Sequence, residues 1–156
     1  MSERNGGCAC GKVRYRLTSA PMFVHCCHCR WCQRESGGAF ALNALIERDR
    51  VEILKGEPEC VPTPSESGDG QKFFRCPVCK VALWSHYAMV TGDRIAFIRV
   101  GTLDDPNQTP PDVHIFTGSA QSWVPLDNDL PVFAAYYDRI AFWPPDSLAR
   151  FQALLD

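Results

Sequence analysis

No stretch of this chain approaches the roughly 18 consecutive apolar residues that a membrane-spanning helix needs. The longest apolar piece, AFALNALI from Ala39, is interrupted by Asn43. The opening MSERNGGCACG has no apolar h-region of the secretory kind, so a cytoplasmic location is expected. Positive charge is not in excess either. Sixteen Lys and Arg stand against 18 Asp and Glu, giving a net charge of −2, and the positive residues are scattered. That pattern argues against nucleic acid and against a membrane surface as partners. There is no internal repeat and no linker long enough to divide the chain. At 156 residues it can bury about 68–70% of its unfolded surface and has no need of cross-links merely to have a core. Residues 1–156 are therefore expected to form one domain.

Helical periodicity is also scarce, and what replaces it is alternation. In KVRYRL from Lys12, Val13, Tyr15 and Leu17 share one face while Lys12, Arg14 and Arg16 share the other, the pattern of a half-buried strand. PMFVHCC, AFALNALI, RVEILKG, KFFRC, VALWSHY and RIAFIRVG supply further strand candidates. The Pro-, Gly- and Ser-rich stretch from Gly56 to Gln71 reads as a loop, and so does DDPNQTPPD from Asp104. A short helical turn is expected after Cys32. At the C-terminus, Leu148, Phe151, Leu154 and Leu155 share a helical face, with Asp146 as its cap. The expected fold is all-β with a short C-terminal helix.

Against these absences stand nine cysteines. An odd number in a chain without an export signal points to metal ligands or catalytic thiols before disulfides. Cys8-x-Cys10 and Cys76-Pro-Val-Cys79 each supply half of a tetrahedral zinc site, and together they would close one. The redox reading of C-x-x-C asks for a strand running into a helix within a βαβ unit, and no such unit is visible.

VHCCHCRWC from Val24 packs four cysteines and two histidines into nine residues. In an extended chain Cys27 and Cys29 point to one face, Cys26 and His28 to the other, and Cys32 swings back as the chain turns. His25 shares the face of Cys29, but at about 3.3 Å per residue their Cα atoms lie about 13 Å apart. One zinc bridges only about 11 Å between such Cα atoms. The set is then either Cys27, Cys29 and Cys32 with an open fourth position, the layout of a catalytic zinc, or a closed Cys₃His site completed by His114 or His86. Three thiolates make zinc a weak acid for water but leave it a good position for a thiolate substrate. Thiol-adduct chemistry is the activity this suggests.

GGCACGKVRY, CHCRWCQRESGG, RCPVC, LWS, RVGTLDDP, HIF and SWV, in this order, resemble the glutathione-dependent formaldehyde-activating enzyme (GFA) family, whose domain also occurs in centromere protein V. The resemblance runs from about Gly6 to about Trp123. It implies a mostly β zinc fold, the β-tent, with two zinc ions: a structural one on Cys8, Cys10, Cys76 and Cys79 and a catalytic one on Cys27, Cys29 and Cys32. It further implies formation or cleavage of S-hydroxymethylglutathione, or carbon–sulfur lyase chemistry on related glutathione adducts. Arg30 and Arg34 are then candidates to pair with glutathione carboxylates; His114 and Trp123, in the family-like motifs, are candidates to line the pocket. His28 is expected to support the zinc ligands, Cys26 to be a buried thiol and Cys60 to be incidental. One departure is Lys80, where the family usually has Gly; if that position needs positive φ, Lys costs about 1 kcal/mol. The rivals are a non-catalytic zinc module that binds a protein and a thiol oxidoreductase using Cys26 or Cys32.

Overall fold

The computed structural model describes residues 3–89, 91–126 and 129–156. It is mostly β-sheet, with a short C-terminal helix. A small antiparallel sheet holds β1 (Arg4–Gly7), β2 (Arg14–Leu17) and β5 (Val51–Lys55) in the order β1-β2-β5. A seven-stranded sheet adds β3 (Phe23–Cys27), β4 (Ala41–Glu47), β6 (Glu59–Thr63), β7 (Gln71–Arg75), β8 (Ala82–Tyr87), β9 (Ile95–Arg99) and β10 (Val113–Ile115). Its order is β10-β3-β4-β9-β8-β7-β6. Every pairing in it is antiparallel except that of β10 with β3.

Alternation explains why the large sheet is so apolar. Val24, Ala44, Ile46, Ala96 and Ile98 pack with Tyr15, Leu17 and Val51 of the small sheet and with Val13 just before β2. Phe23, Leu45, Ile95 and Phe97 pack on the other side with Tyr137, Trp143 and Phe151 of the C-terminal segment. Successive residues of one strand thus enter two different cores, and all five residues of β3 are buried.

The C-terminal segment carries α2 (Arg139–Phe142) and α3 (Pro145–Ala153). Phe151 of α3 is buried and Leu148 packs beside it on the same helical face; Leu154 and Leu155, expected on that face, join the packing from the turn just past the helix end. Arg150 locks α3 down through paired hydrogen bonds to Glu47 of β4 and a third to the Ala20 carbonyl.

Two sequence expectations are corrected. The stretch from Gly56 to Gln71 is not all loop, because β6 pairs with β7 along Glu59–Thr63. Its Pro, Gly and Ser content pointed to a loop, yet β6 is the sheet's edge, where Pro62, without an N–H, costs no ladder bond on the open side. Asp146 does not cap α3: Pro144 holds the cap position without a side-chain bond, and Asp146 sits in the first turn, where its charge favours the helix dipole. β1 and α2 carry no pattern that the sequence reading caught.

Candidate metal centre

Cys8 and Cys10 lie in the turn between β1 and β2, and Cys76 and Cys79 in the turn between β7 and β8. Their four sulfur atoms all lie within 4.8 Å of one another. Cys8 Sγ is 3.6 Å from Cys10 Sγ, which is 3.7 Å from Cys76 Sγ. Four sulfurs on one tetrahedral zinc, each about 2.3 Å away, stand about 3.8 Å apart, so this donor set fits that ion. The backbone is already arranged around the thiols: Val13 N–H donates to Cys8 Sγ and Val78 N–H to Cys76 Sγ. Hydrogen bonds from the Val81 and Cys10 amides are the main reason that Cys79 is lowered to about 6, which favours the thiolate. Lys80 has φ +63° in this turn, so the residue stands where Gly is the unstrained choice, at about 1 kcal/mol. Its Nζ reaches Glu59 of β6 at 2.8 Å, an exposed pair of small value.

The second set comes from one short piece of chain. Cys27 ends β3, Cys29 is the N-cap of α1 (Arg30–Ser36), and Cys32 lies in that helix. Their sulfurs also lie within 4.8 Å of one another. Among the described residues, no His, Asp, Glu or further Cys joins them at that range. Cys32 N–H donates to Cys29 Sγ at 3.3 Å, and Gly37, at φ +71°, closes the helix with its N–H on Gln33 O. Three packed thiols cannot all ionise alone. Hydrogen bonds from Cys27 and Cys32, and then the amides of Cys32 and Trp31, hold Cys29 down at about 2. Hydrogen bonds to Cys29 and Cys32 and burial push Cys27 far up. A cation held by all three removes that conflict.

Each histidine is accounted for elsewhere. His25 is buried with Nε2 2.7 Å from Tyr137 Oη, and burial, with Arg139 nearby, lowers it to about 3. It is therefore neutral and shares a hydrogen bond with the tyrosine hydroxyl, which accepts from Trp143 Nε1. His86 Nδ1 pairs with the Ile95 carbonyl. His28 and His114 meet each other and Cys26 on the opposite face of β3. His114, read as a pocket residue, is thus buried away from Cys27, because its register partner in β3 is Cys26.

Arg30 and Trp123 are brought together, through a residue the sequence reading missed. Gln33 is buried in α1 and donates from Nε2 to the carbonyls of His28 (2.8 Å) and Ser119 (2.9 Å). Its Oε1 accepts from Arg30 Nη1 and Gln121 Nε2, and Gln121 Oε1 accepts from Trp123 Nε1. Trp123 remains 70% exposed. The result is a rim of one guanidinium and one indole tied to α1, the helix that carries Cys32. Arg34 is exposed on α1 and does not enter this chain of bonds. Further out, Glu35 bonds Arg75 (2.8 Å) and lies 3.7 Å from Arg99. Only a polar residue one position past the last cysteine of a ligand motif could have signalled Gln33.

A family model described as glutathione-dependent formaldehyde-activating enzyme matches residues 3–119. The chain belongs to the GFA family. It is 26% identical, over 96% of its length and 94% of the relative's, to a Halomonas elongata protein named "Putative glutathione-dependent formaldehyde-activating enzyme". It is also similar to the crystal structure of a Rhodobacter sphaeroides protein, with a TM-score of 0.50 and 14% identity. That match covers 83% of this chain and 98% of the other and concerns the fold alone. The β fold expected of a GFA chain is the fold observed. No helix among its described residues is long and apolar enough to cross a membrane.

Proposed function

We propose that this GFA-family chain, working as one domain in the cytoplasm, is a carbon–sulfur lyase that forms or cleaves S-hydroxymethylglutathione-type adducts of small aldehydes. It would hold two zinc ions, a structural one on Cys8, Cys10, Cys76 and Cys79 and a catalytic one on Cys27, Cys29 and Cys32. The observation that carries the reading is the second set: three sulfurs within 4.8 Å with no fourth donor among the described residues. Bound by three thiolates, zinc supplies a soft position that favours the deprotonated form of an added thiol.

The chain's own residues then have distinct tasks. Cys29, at the head of α1, and Cys32, one turn on, would hold the metal, and with it the position for the reacting sulfur, close to the helix. Arg30 offers a guanidinium at the rim for a glutathione carboxylate. The exposed face of Trp123 covers the peptide portion of the ligand. Gln33 ties both to the backbone that follows Cys27. In the forward direction the sulfur–carbon bond forms and the thiol proton ends on the former carbonyl oxygen. In reverse the hydroxyl loses its proton, the carbon–sulfur bond breaks, and aldehyde and thiol leave.

The test combines zinc content with the zinc-edge X-ray absorption spectrum, with and without glutathione. Two zincs per chain, one of which gains a sulfur neighbour on adding glutathione, is the expected result. An unchanged spectrum would remove the enzyme reading's support and favour a zinc module that binds a protein partner.

A further inference from the structure

A third convergence of metal-binding side chains lies on the opposite face of β3 from Cys27. Parallel pairing of β10 with β3 sets His114 beside Cys26, and His28 follows on the same side. Cys26 Sγ is 3.5 Å from His28 Nε2, and His28 Nε2 is 2.9 Å from His114 Nδ1. The three donor atoms lie within 4.8 Å of one another. Cys26, His28 and His114 are 2%, 0% and 4% exposed.

The arrangement is held from every side. His28 N–H donates to the Ile115 carbonyl, and the His28 carbonyl accepts from Gln33 and Ser119. His114 N–H donates to Pro131 O, and Phe133 N–H donates back to His114 O. Phe40 meets the His28 ring edge-on at 5.4 Å. None of these bonds uses a ligand atom of the cluster. Hydrogen bonding, moreover, serves the three donor atoms only by sharing one of them. His28 Nε2 has either one proton or one lone pair, and it faces both the Cys26 sulfur and the His114 nitrogen. His28 Nδ1, which is not the ring atom facing Cys26 and His114, is buried without a hydrogen-bond partner.

We propose that Cys26, His28 and His114 form a metal site of their own, separate from the two cysteine sets, and that it takes a soft monovalent cation, Cu(I). The sulfur–nitrogen separation already matches the ~3.6 Å of two ligands on one ion, and the rings need to part by only about 0.5 Å. Charge selects the valence. One thiolate and two neutral imidazoles donate a single negative charge, so a monovalent ion gives a neutral centre. A divalent ion would leave net positive charge in the interior without a further anion to balance it. Softness agrees, since thiolate with imidazole favours copper over hard cations. On binding, the Cys26 thiol loses its proton to solvent, and sulfur and both nitrogens donate to the metal with no change of oxidation state.

The test uses the full chain carrying Cys60→Ser, which removes an exposed thiol outside the three clusters. It is produced in copper-supplemented cells, so that the site can load as the chain folds, and is purified without oxygen against bicinchoninate. Copper and zinc are counted per chain, and the copper-edge spectrum gives the ligands. The expected result is about one copper per chain beside undiminished zinc, with one sulfur and two nitrogen neighbours. Cys26→Ala and His114→Ala should lower copper to less than about a tenth per chain while zinc stays. Copper with sulfur neighbours only, copper gained at the expense of zinc, a third zinc in its place, or no copper would each overturn the proposal. The spectrum of the parent chain decides even if a variant does not fold. Because zinc is counted separately, failure here leaves the thiol-adduct reading untouched.

Discussion

Gln33 ties the helix that carries Cys32 to the backbone that follows Cys27, and its loss has a calculable cost. Its amide nitrogen joins α1 to two carbonyls, His28 O and Ser119 O. Gln33→Met keeps the volume and removes both bonds, at a net cost of about 1 kcal/mol each. His28 O stays paired through Ser119 Oγ at 3.0 Å, but Ser119 O loses its side-chain donor. Allowing for that, Gln33→Met should cost about 2–3 kcal/mol. Gln33→Glu has the same shape and does worse. One carboxylate oxygen keeps Arg30 and Gln121, while the other faces the two carbonyls at the positions of the present 2.8 and 2.9 Å bonds. The total should reach about 3–5 kcal/mol at pH 7. The pH dependence has a definite sign, because repulsion raises the carboxyl's pKa in the folded state above its unfolded value of about 4.3. The extra penalty is therefore absent below the unfolded value, grows through the interval up to the folded one, and is constant above it. Urea denaturation of metal-loaded wild type and both variants between pH 5 and 8 measures this, read as differences at each pH. A cost below about 0.5 kcal/mol for Gln33→Met, or a Glu variant no weaker than the Met variant at pH 7, would refute the reasoning.

Other predictions test the remaining elements. Arg150→Met removes the paired bonds to Glu47, whose side chain is 7% exposed against 22% for Arg150, and should cost about 2–3 kcal/mol at pH 7 by denaturation. Burial would raise Glu47, yet Arg150 holds it below its ordinary value of 4.5. The pair's contribution is thus present above that value, and the gap between wild type and variant should close as pH falls through Glu47's lowered pKa. Gly6→Ala places a Cβ 2.6 Å from Thr102 O and 2.7 Å from Tyr15 Oη, so about 2–3 kcal/mol of stability should be lost, visible as a lower urea midpoint. Trp123→Ala should leave stability within about 0.5 kcal/mol, since the ring is exposed, and should weaken glutathione binding by calorimetry. Unchanged affinity would remove Trp123 from the rim.

What could be read from the sequence followed how local its physics is. The three-sulfur group, built from i, i+2 and i, i+3 spacings, depends on a few dihedral angles, whereas the four-sulfur group joins two such local halves from 66 positions apart. The exclusion of His25 was equally local, because an extended chain has a fixed rise, and the ring indeed reaches Tyr137 instead. β6 was hidden for a different reason: Pro62 is forbidden or harmless according to whether its strand has one neighbour or two, and that is a property of the whole sheet. The same holds for β3. Period-2 alternation placed Cys26 and His28 opposite Cys27 and Cys29, but nothing near residue 26 specifies what lies beside it. That is set by the three residues of β10, whose register brings His114 to Cys26 from 88 positions away in the chain. A shift of that register by one residue would put Ile115 beside Cys26 and direct His114 to the face of Cys27, where the closed Cys₃His site would become possible. The difference between an open three-thiol centre and a closed four-ligand one thus rests on a pairing that only the folded sheet reveals.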